Sequence, residues 1–475
     1  MSRILYILGI ILIFLSMMEI FPFLSDLISG SENWIVFLFS SIFTFFIGVS
    51  LLLSGSNKVE KLTSRDAFFL TVLIWLVLPI IGAIPFLFSI DNINLVDSIF
   101  ESISGLTTTG LTIIHDLNNV QPGILLWRSL LQWIGGVGII VMSIAIFPLL
   151  RLGDINFMTI EPLKENNKAL PRTFELAIAI AVIYFFITVF CLFSYSIFGM
   201  SLFDSINYAM TTISTGGFAP HNTPFEFYDS LYVKLIATFF MIVGAMPFTL
   251  YIKAIRKNIF VIFSNSQVRF FLFFCFIMVL IITFWFWLTT SKDFFEALIF
   301  SMFNTISIIT TTGFSSSDAS YWGSAYVFVL ILAFSGGCSG STSGSIKVFR
   351  YQLVLKFLKT QLDKLLHPHG VFVVRYENNV ISSNIIFSVT AFVTMYLISW
   401  ALLSALISLT GFDFQVSMST AAASLTNVGP AVGMNVNYQD FPSITKILIS
   451  LGMLLGRLEL FVFFVILLPS FWRDA

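Results

Sequence analysis

Thr107-Thr108-Thr109-Gly110-Leu111 (TTTGL) lies between two apolar segments and carries no charge. Threonine and glycine are poor helix formers, so the stretch needs a reason other than crossing a membrane. Three more stretches occupy similar settings: Ser214–Phe218 (STGGF), Thr310–Phe314 (TTTGF) and Thr426–Pro430 (TNVGP). From Gly110 to Gly216 is 106 residues, to Gly313 another 97, and to Gly429 another 116. Each follows an apolar span and a short half-polar segment (97–106, 204–213, 293–309, 413–425), and each precedes a second apolar span. A dozen residues are too few to cross a bilayer core, so the half-polar segments predict re-entrant helices. Non-helical backbone at that depth is tolerated where it is buried or lines a wet cavity.

Composition sets the same frame. The chain has 475 residues, 57% hydrophobic and 10% charged, where a soluble domain averages about 25% charged. Apolar runs such as 174–199, 268–290 and 444–469 exceed the length needed to span. Lipid offers the backbone no hydrogen bonds, so these runs must be helices. The first run continues past Arg3 through Phe21 and Phe23 with no small-residue cleavage site, and a second span follows at about 34–54; it reads as a retained anchor. Cys191, Cys275 and Cys338 show no CxxC spacing, and His367-Pro368-His369 reads as a loop, so neither a disulfide framework nor a metal site is expected. The fold class is all-α integral membrane: four helix–pore-loop–helix units around a central pore, plus two extra N-terminal transmembrane helices, ten crossings in all.

Charge gives the orientation. Nineteen of the 24 basic residues fall at the termini and in alternate connections: Arg3; Lys58, Lys61, Arg65; Arg151, Lys164, Lys168, Arg172; Lys253, Arg256, Lys257, Arg269; Lys347, Arg350, Lys356, Lys359, Lys364, Arg375; and Arg473. Positive connections stay cytoplasmic, which puts both termini inside. The opposite connections carry Asp91, Asp97, Glu101, Asp116, Asp204, Glu226, Asp229, Asp293, Glu296, Asp318, Asp413 and Asp440, offset by Arg128, Lys234, Lys292 and Lys446. An acidic outer face raises the local cation concentration; loop solubility and helix capping account equally well for any single carboxylate. Units that begin and end inside share one orientation, so they fit around a common axis. The expected boundaries are 1–62 for the peripheral pair, then 63–165, 166–262, 263–376 and 377–475.

A dehydrated cation needs oxygens in place of water, and backbone carbonyls supply them. Consecutive carbonyls point one way only if some residue takes a conformation that glycine adopts freely. The half-helix turns its negative end toward the centre, which favours a cation there. One such stretch could be an ordinary Gly/Thr packing site; four at near-constant spacing are not explained that way.

These stretches resemble the filters of the Trk/Ktr/HKT superfamily of potassium transporters. The resemblance covers essentially the whole chain, including the N-terminal pair and the ending MLLGRLELFVFFVILLPSFWR (453–473), and is greatest to the bacterial potassium-translocating subunits. It implies K⁺ uptake through a filter of Thr108, Thr109, Gly110, Thr215, Gly216, Thr312, Gly313, Asn427, Val428 and Gly429. The implied K⁺ ligands are Thr109, Gly110, Thr215, Gly216, Thr312, Gly313, Val428 and Gly429. Plant relatives with serine at the first filter position favour Na⁺; Gly110 points to K⁺. The fourth stretch departs from TTTG, which leaves its ligand set open. The resemblance further implies a bacterial inner-membrane location, a dimer, and regulation by a TrkA-like cytosolic nucleotide-binding ring docked on the inner loops, of which 351–378 is amphipathic and lysine-bearing. K⁺ is the transported ion, and no organic cofactor is expected in this chain.

The third inner span, about 322–357, is interrupted by Gly336, Gly337, Cys338, Ser339, Gly340, Ser341, Thr342, Ser343, Gly344 and Ser345. Each interior glycine costs a helix about 1 kcal/mol relative to alanine, so an unwound intramembrane loop is expected. Close helix packing is the competing reading. A phosphate-binding loop is not supported, since Ser345 is followed by Ile346 rather than by Lys and a hydroxyl residue. By resemblance the loop obstructs the pore as a gate, with Arg457 beside it as an electrostatic barrier. An intramembrane arginine otherwise pairs with a carbonyl or faces a cavity. An intramembrane enzyme would need clustered titratable groups, and the deep spans offer little beyond Arg457 and Glu459.

Overall fold

Lipid leaves a peptide group no partner but another peptide group, and the computed structural model is accordingly helical almost throughout. It describes all residues except 1, 56–62, 146–168, 229, 291, 317–321, 323–324, 378, 431–435 and 474–475. The side chains of 64, 143–145 and 169–174 also fall outside the description. Consequently Lys58, Lys61, Arg151, Lys164, Lys168, Asp229 and Asp318, and the side chain of Arg172, lie outside the described residues.

A peripheral pair, Ser2–Ser29 and Trp34–Ser54, packs as a hairpin against the rest. After it, one order recurs four times. The outer spans are Ser64–Gly82 (continued by Ile84–Ser89), Ala169–Ile197, Ser266–Thr289 and Ser383–Ser408. The half-helices are Leu95–Leu106, Leu202–Ile213, Phe294–Ile309 and Phe414–Thr426, of 12, 12, 16 and 13 residues. At 1.5 Å per residue the twelve-residue ones reach only about 18 Å, too short to cross. Polar residues start them: Asn94 and Asp97 form a reciprocal capping box, and Ser201 accepts from Asp204 N.

Inner spans come last in each unit, and the first of them is more buried than any outer span. In Pro122–Met142, 72% of the span is buried, against 17% in Ser383–Ser408. Outer spans turn Phe185, Phe186, Phe190, Phe273 and Phe276 outward, where lipid replaces the water that would penalise them. The first inner span is therefore enclosed by protein, while the outer spans face lipid.

Three of the four inner spans are broken, whereas the sequence led us to expect only the third to be. Leu231–Gly244 and Phe248–Arg256 meet at 91°, and Ser443–Arg457 and Phe461–Leu467 at 111°. Pro247 explains the first, because its ring blocks a continuing helix. The second sits where Glu459 and Leu460 take φ of 53° and 38°. The third consists of Tyr326–Ala333 and Val348–Leu366, with residues 334–347 between them. Among the described residues seven helices are long and apolar enough to cross, or nine if each bent pair counts as one. The remaining expected crossing is the interrupted third inner span, whose first part has only 8 residues.

On the side of the Phe248–Arg256 and Val348–Leu366 segments, a two-residue hairpin pairs Arg375–Tyr376 with Asn379–Val380. It packs with Phe349, Leu353 and Ile386 in a small separate core.

Candidate ion-conducting site

All four half-helices end the same way. Residues 108, 215, 311 and 427 take left-handed φ of 52°, 52°, 59° and 54°. Their N–H groups reach back three residues, to the carbonyls of Gly105, Thr212, Ile308 and Ser424. The next N–H reaches back five: Thr109 to Ser104 (2.9 Å), Gly216 to Thr211 (2.9 Å), Thr312 to Ser307 (2.9 Å) and Val428 to Ala423 (3.2 Å). This is the paired-bond helix stop in which the left-handed residue is usually Gly or Asn. Three threonines and Asn427 fill it here. It satisfies carbonyls that the half-helix would otherwise leave buried and unpaired.

Two residues beyond each left-handed position stands a glycine with φ near +80°: Gly110 (83°), Gly217 (81°), Gly313 (81°) and Gly429 (83°). The register read from the sequence is therefore one residue off in the second stretch. Gly217, not Gly216, is the backbone equivalent of Gly110, and Gly216 matches Thr109, Thr312 and Val428. Two adjacent glycines left the choice undetermined in the sequence; the φ pattern decides it.

The four glycines close a ring. A Cβ built on Gly110 would fall within 3.0 Å of Gly216 O, one on Gly217 within 3.0 Å of Thr312 O, one on Gly313 within 3.0 Å of Val428 O, and one on Gly429 within 3.0 Å of Thr109 O. Each stretch thus lies against the carbonyl of the next, and the fourth returns to the first. Residues 107–110, 214–217, 310–313 and 426–429 are buried. Such an arrangement brings four backbones, each leaving the C-terminal end of a half-helix, around one centre.

Beneath the ring lies the small-residue loop. Residues 336–345 are buried and held by many bonds. Cys338 N donates to Ala245 O (2.9 Å), Phe248 N to Gly340 O (3.0 Å) and Thr342 N to Gly244 O (3.3 Å). The loop therefore satisfies the backbone freed by the bend at Pro247. It also reaches the half-helix ends: Thr342 Oγ1 is 3.1 Å from Ile213 O, and Ser343 Oγ donates to Thr310 O at 2.8 Å. Gly344 N donates to Thr311 Oγ1 (2.7 Å), and Thr215 Oγ1 lies 3.2 Å from Thr342 Oγ1. Two cations grip adjacent carbonyls, Arg457 Nη1 on Thr342 O at 2.9 Å and Lys347 Nζ on Ser343 O. Lys347 and Arg350, read from the sequence as part of an inner basic loop, are instead buried here, and Arg350 pairs with Glu459 at 2.7 Å.

Residues 35–472 match the TrkH family, described as cation transport protein. A Trk system potassium uptake protein, TrkI of Halomonas elongata, is 38% identical over 413 residues, 86% of this chain and 84% of its own. TrkH of Escherichia coli K12 is 34% identical over 444 residues, 91% of this chain and 92% of its own. The crystal structure of the potassium transporter TrkH from Vibrio parahaemolyticus superposes with a TM-score of 0.92 at 31% identity, covering 99% of both chains. The chain belongs to the TrkH family. Its relatives are transporters rather than enzymes.

Within this TrkH-family chain, several polar residues hold the ring, most of them given no part in it by the sequence. Arg128 and Lys446 were read as outer-loop charges, but both are buried in inner spans. Arg128 Nε meets Glu101 at 2.8 Å, its Nη1 donates to Ala219 O at 3.0 Å, and its guanidinium lies 4.1 Å from the Phe218 ring. Glu101 also accepts from Thr112 Oγ1 (2.9 Å) and Ile113 N (3.0 Å), so one ion pair steadies the first and second stretches. Lys446 meets Asp97 at 2.6 Å, joining the fourth inner span to the first half-helix. Asn427 Nδ2 donates to Thr109 Oγ1 (2.9 Å) and Met453 O (3.0 Å), which gives the deviant TNVGP stretch its own tie to the first. Gln132, from the first inner span, bonds the backbone of the second stretch. The available signal was a polar or charged side chain within an apolar run.

Near the start of the second half-helix Asp204 sits between His221 (3.3 Å) and Tyr228. Burial first, and then the Asp204 carboxylate, push the Tyr228 phenol above its ordinary range.

Proposed function

We propose that this chain takes up K⁺ across the bacterial inner membrane, passing the ion through the ring of residues 108–110, 215–217, 311–313 and 427–429. The observation that carries the reading is the closed cycle of left-turned glycines, each set on the next stretch's carbonyl oxygen. Thr109, Gly110, Thr215, Gly216, Thr312, Gly313, Val428 and Gly429, joined now by Gly217, supply the oxygens that replace the ion's water. Half-helix C-termini turn partial negative charge toward the same centre. The units proposed to form the pore are 63–165, 166–262, 263–376 and 377–475, with 1–62 at the periphery and both termini cytoplasmic.

Residues 336–345 serve as the gate, with Arg457 as the positive barrier beside it. The loop's position under the second and third half-helix ends supports this: a cation leaving the ring meets hydroxyls, an arginine and a lysine. A TrkA-like nucleotide-binding ring on the cytosolic face is the proposed regulator, acting on a dimer of this chain. The partner-system naming of the relatives favours a multi-subunit assembly.

The test is K⁺ uptake in a K⁺-auxotrophic host, with Gly110, Gly217, Gly313 and Gly429 each replaced by Ser. A Cβ at these positions collides with the neighbouring carbonyl, so loss of growth at low K⁺ is expected from each. Competition of ⁸⁶Rb⁺ uptake by K⁺ and Na⁺ separates a K⁺ transporter from a Na⁺-permeable one. Four unaffected variants would refute the ring.

A further inference from the structure

We infer that Gln132 is a positioning residue that sets the carbonyl geometry of the second stretch and, through it, the preference for K⁺ over Na⁺; this rests on the filter reading above. In three stretches the residue before the left-turned glycine carries a side chain: Thr109, Thr312 and Val428. In the second it is Gly216. A Cβ there would lie within 3.0 Å of Gln132 Cδ, Oε1 and Nε2. The missing side chain is therefore replaced in space by an amide from the first inner span.

That amide is fully buried and uses both its ends. Nε2 donates to Gly216 O at 2.6 Å, and Oε1 accepts from Phe218 N at 3.0 Å. The two bonds straddle Gly217 and fix the peptide groups on either side of the residue whose φ is 81°. In the first and third stretches a hydroxyl pair occupies the corresponding place, Thr107 with Thr109 (2.7 Å) and Thr310 with Thr312 (2.8 Å). The second stretch lacks that pair and takes its brace from another unit. One helical turn before Gln132, Arg128 holds Ala219 O, so a single face of the inner span grips residues 216–219. Discrimination between K⁺ and Na⁺ depends on the number, field strength and freedom of the coordinating carbonyls. An amide bonded to one of those oxygens, and holding the next peptide plane, acts on all three.

The experiment uses the full chain in proteoliposomes and reads ⁸⁶Rb⁺ influx competed by K⁺ and by Na⁺, with thermal unfolding followed in parallel. Gln132→Met keeps length and volume and removes both hydrogen bonds. It should lower the K⁺-over-Na⁺ preference by about fivefold or more, beyond any change in unfolding temperature. If Gln132→Met does not fold, Gln132→Glu keeps the acceptor for Phe218 N and loses the donor to Gly216 O. It makes the same comparison. Gly216→Ser alone should be inactive. In Gln132→Ala/Gly216→Ser the vacated space admits the new Cβ, and transport should return above the Gly216→Ser level. A wild-type preference in the Gln132 variants, or a double variant no better than Gly216→Ser, overturns the inference. Gly313→Ser in the same assay separates the two readings. If it keeps wild-type influx and preference, the ring itself fails; if it loses influx or preference while Gln132→Met keeps the wild-type preference, only the role of Gln132 falls.

Discussion

A β-branched residue in the left-handed region gives up on the order of 1–2 kcal/mol relative to a right-handed backbone, yet Thr108, Thr215 and Thr311 all hold φ between 52° and 59°. At Thr311 the side chain supplies a compensation that glycine would not: its hydroxyl accepts from Gly344 N of the loop below. Thr311→Val keeps the shape and leaves that N–H buried without its partner, a loss of roughly 1–3 kcal/mol. The loop should dock less firmly, and ⁸⁶Rb⁺ influx into vesicles without added nucleotide should rise while the K⁺-over-Na⁺ preference stays unchanged. Unaltered influx would show that this contact does not hold the gate. The stretches themselves were legible in the sequence, because a left-turned backbone beside a neighbour's carbonyl demands glycine and the demand recurs four times. The register of STGGF was not, since either of two glycines meets that demand and only the backbone angles choose.

At the scale of the element, the loop at 336–345 was legible from its composition, while the bends elsewhere were less so. Pro247 marks one in the sequence, though it was not read there as a break. The other, at Glu459 and Leu460, lies in a run whose hydrophobicity reads as unbroken helix. There Glu459 is committed to Arg350 across the structure, a pairing that no local pattern reveals. Deleting residues 338–344 should raise K⁺ flux in folded protein; unchanged or abolished flux would count against gating. Arg457→Ala removes the bond to Thr342 O and the charge together, and should raise basal flux as well. A substitution with no effect on transport would dismiss the barrier. The ion pair of Arg128 and Glu101 makes a different prediction, of stability. Arg128→Met strands a buried carboxylate, which typically costs 3–5 kcal/mol, and should lower the unfolding temperature in detergent. Arg128→Met/Glu101→Gln should recover part of the loss, and failure to do so would mean that the pair's charge is not what matters.

For the whole molecule, the proposed membrane topology rests on charge placement alone, because orientation depends on where lysines and arginines fall rather than on tertiary contacts. Lys364→Cys is expected to label from the inner side only and Asn119→Cys from the outer side only. Cys191, Cys275 and Cys338 are buried, which keeps the background low. Labelling of both from one side would invert or dismantle the arrangement. Long-range ties such as Lys446 to Asp97, separated by 349 positions, were not legible; they exist only once the fourth unit has come round to meet the first.

The docked loop has a consequence for how ions and gate communicate. Thr342 and Ser343 point their hydroxyls at Ile213 O and Thr310 O, two oxygens at the negative ends of half-helices, where a hydrated cation would also settle. With residues 336–345 as the proposed gate, the loop would be a tethered rival for the ion's own resting place. Either occupant would then exclude the other, so by mass action more K⁺ would displace the tether and less would let it return. On the proposed reading, conduction should then climb more steeply than in proportion to K⁺ concentration, as each arriving ion helps hold the way open for the next.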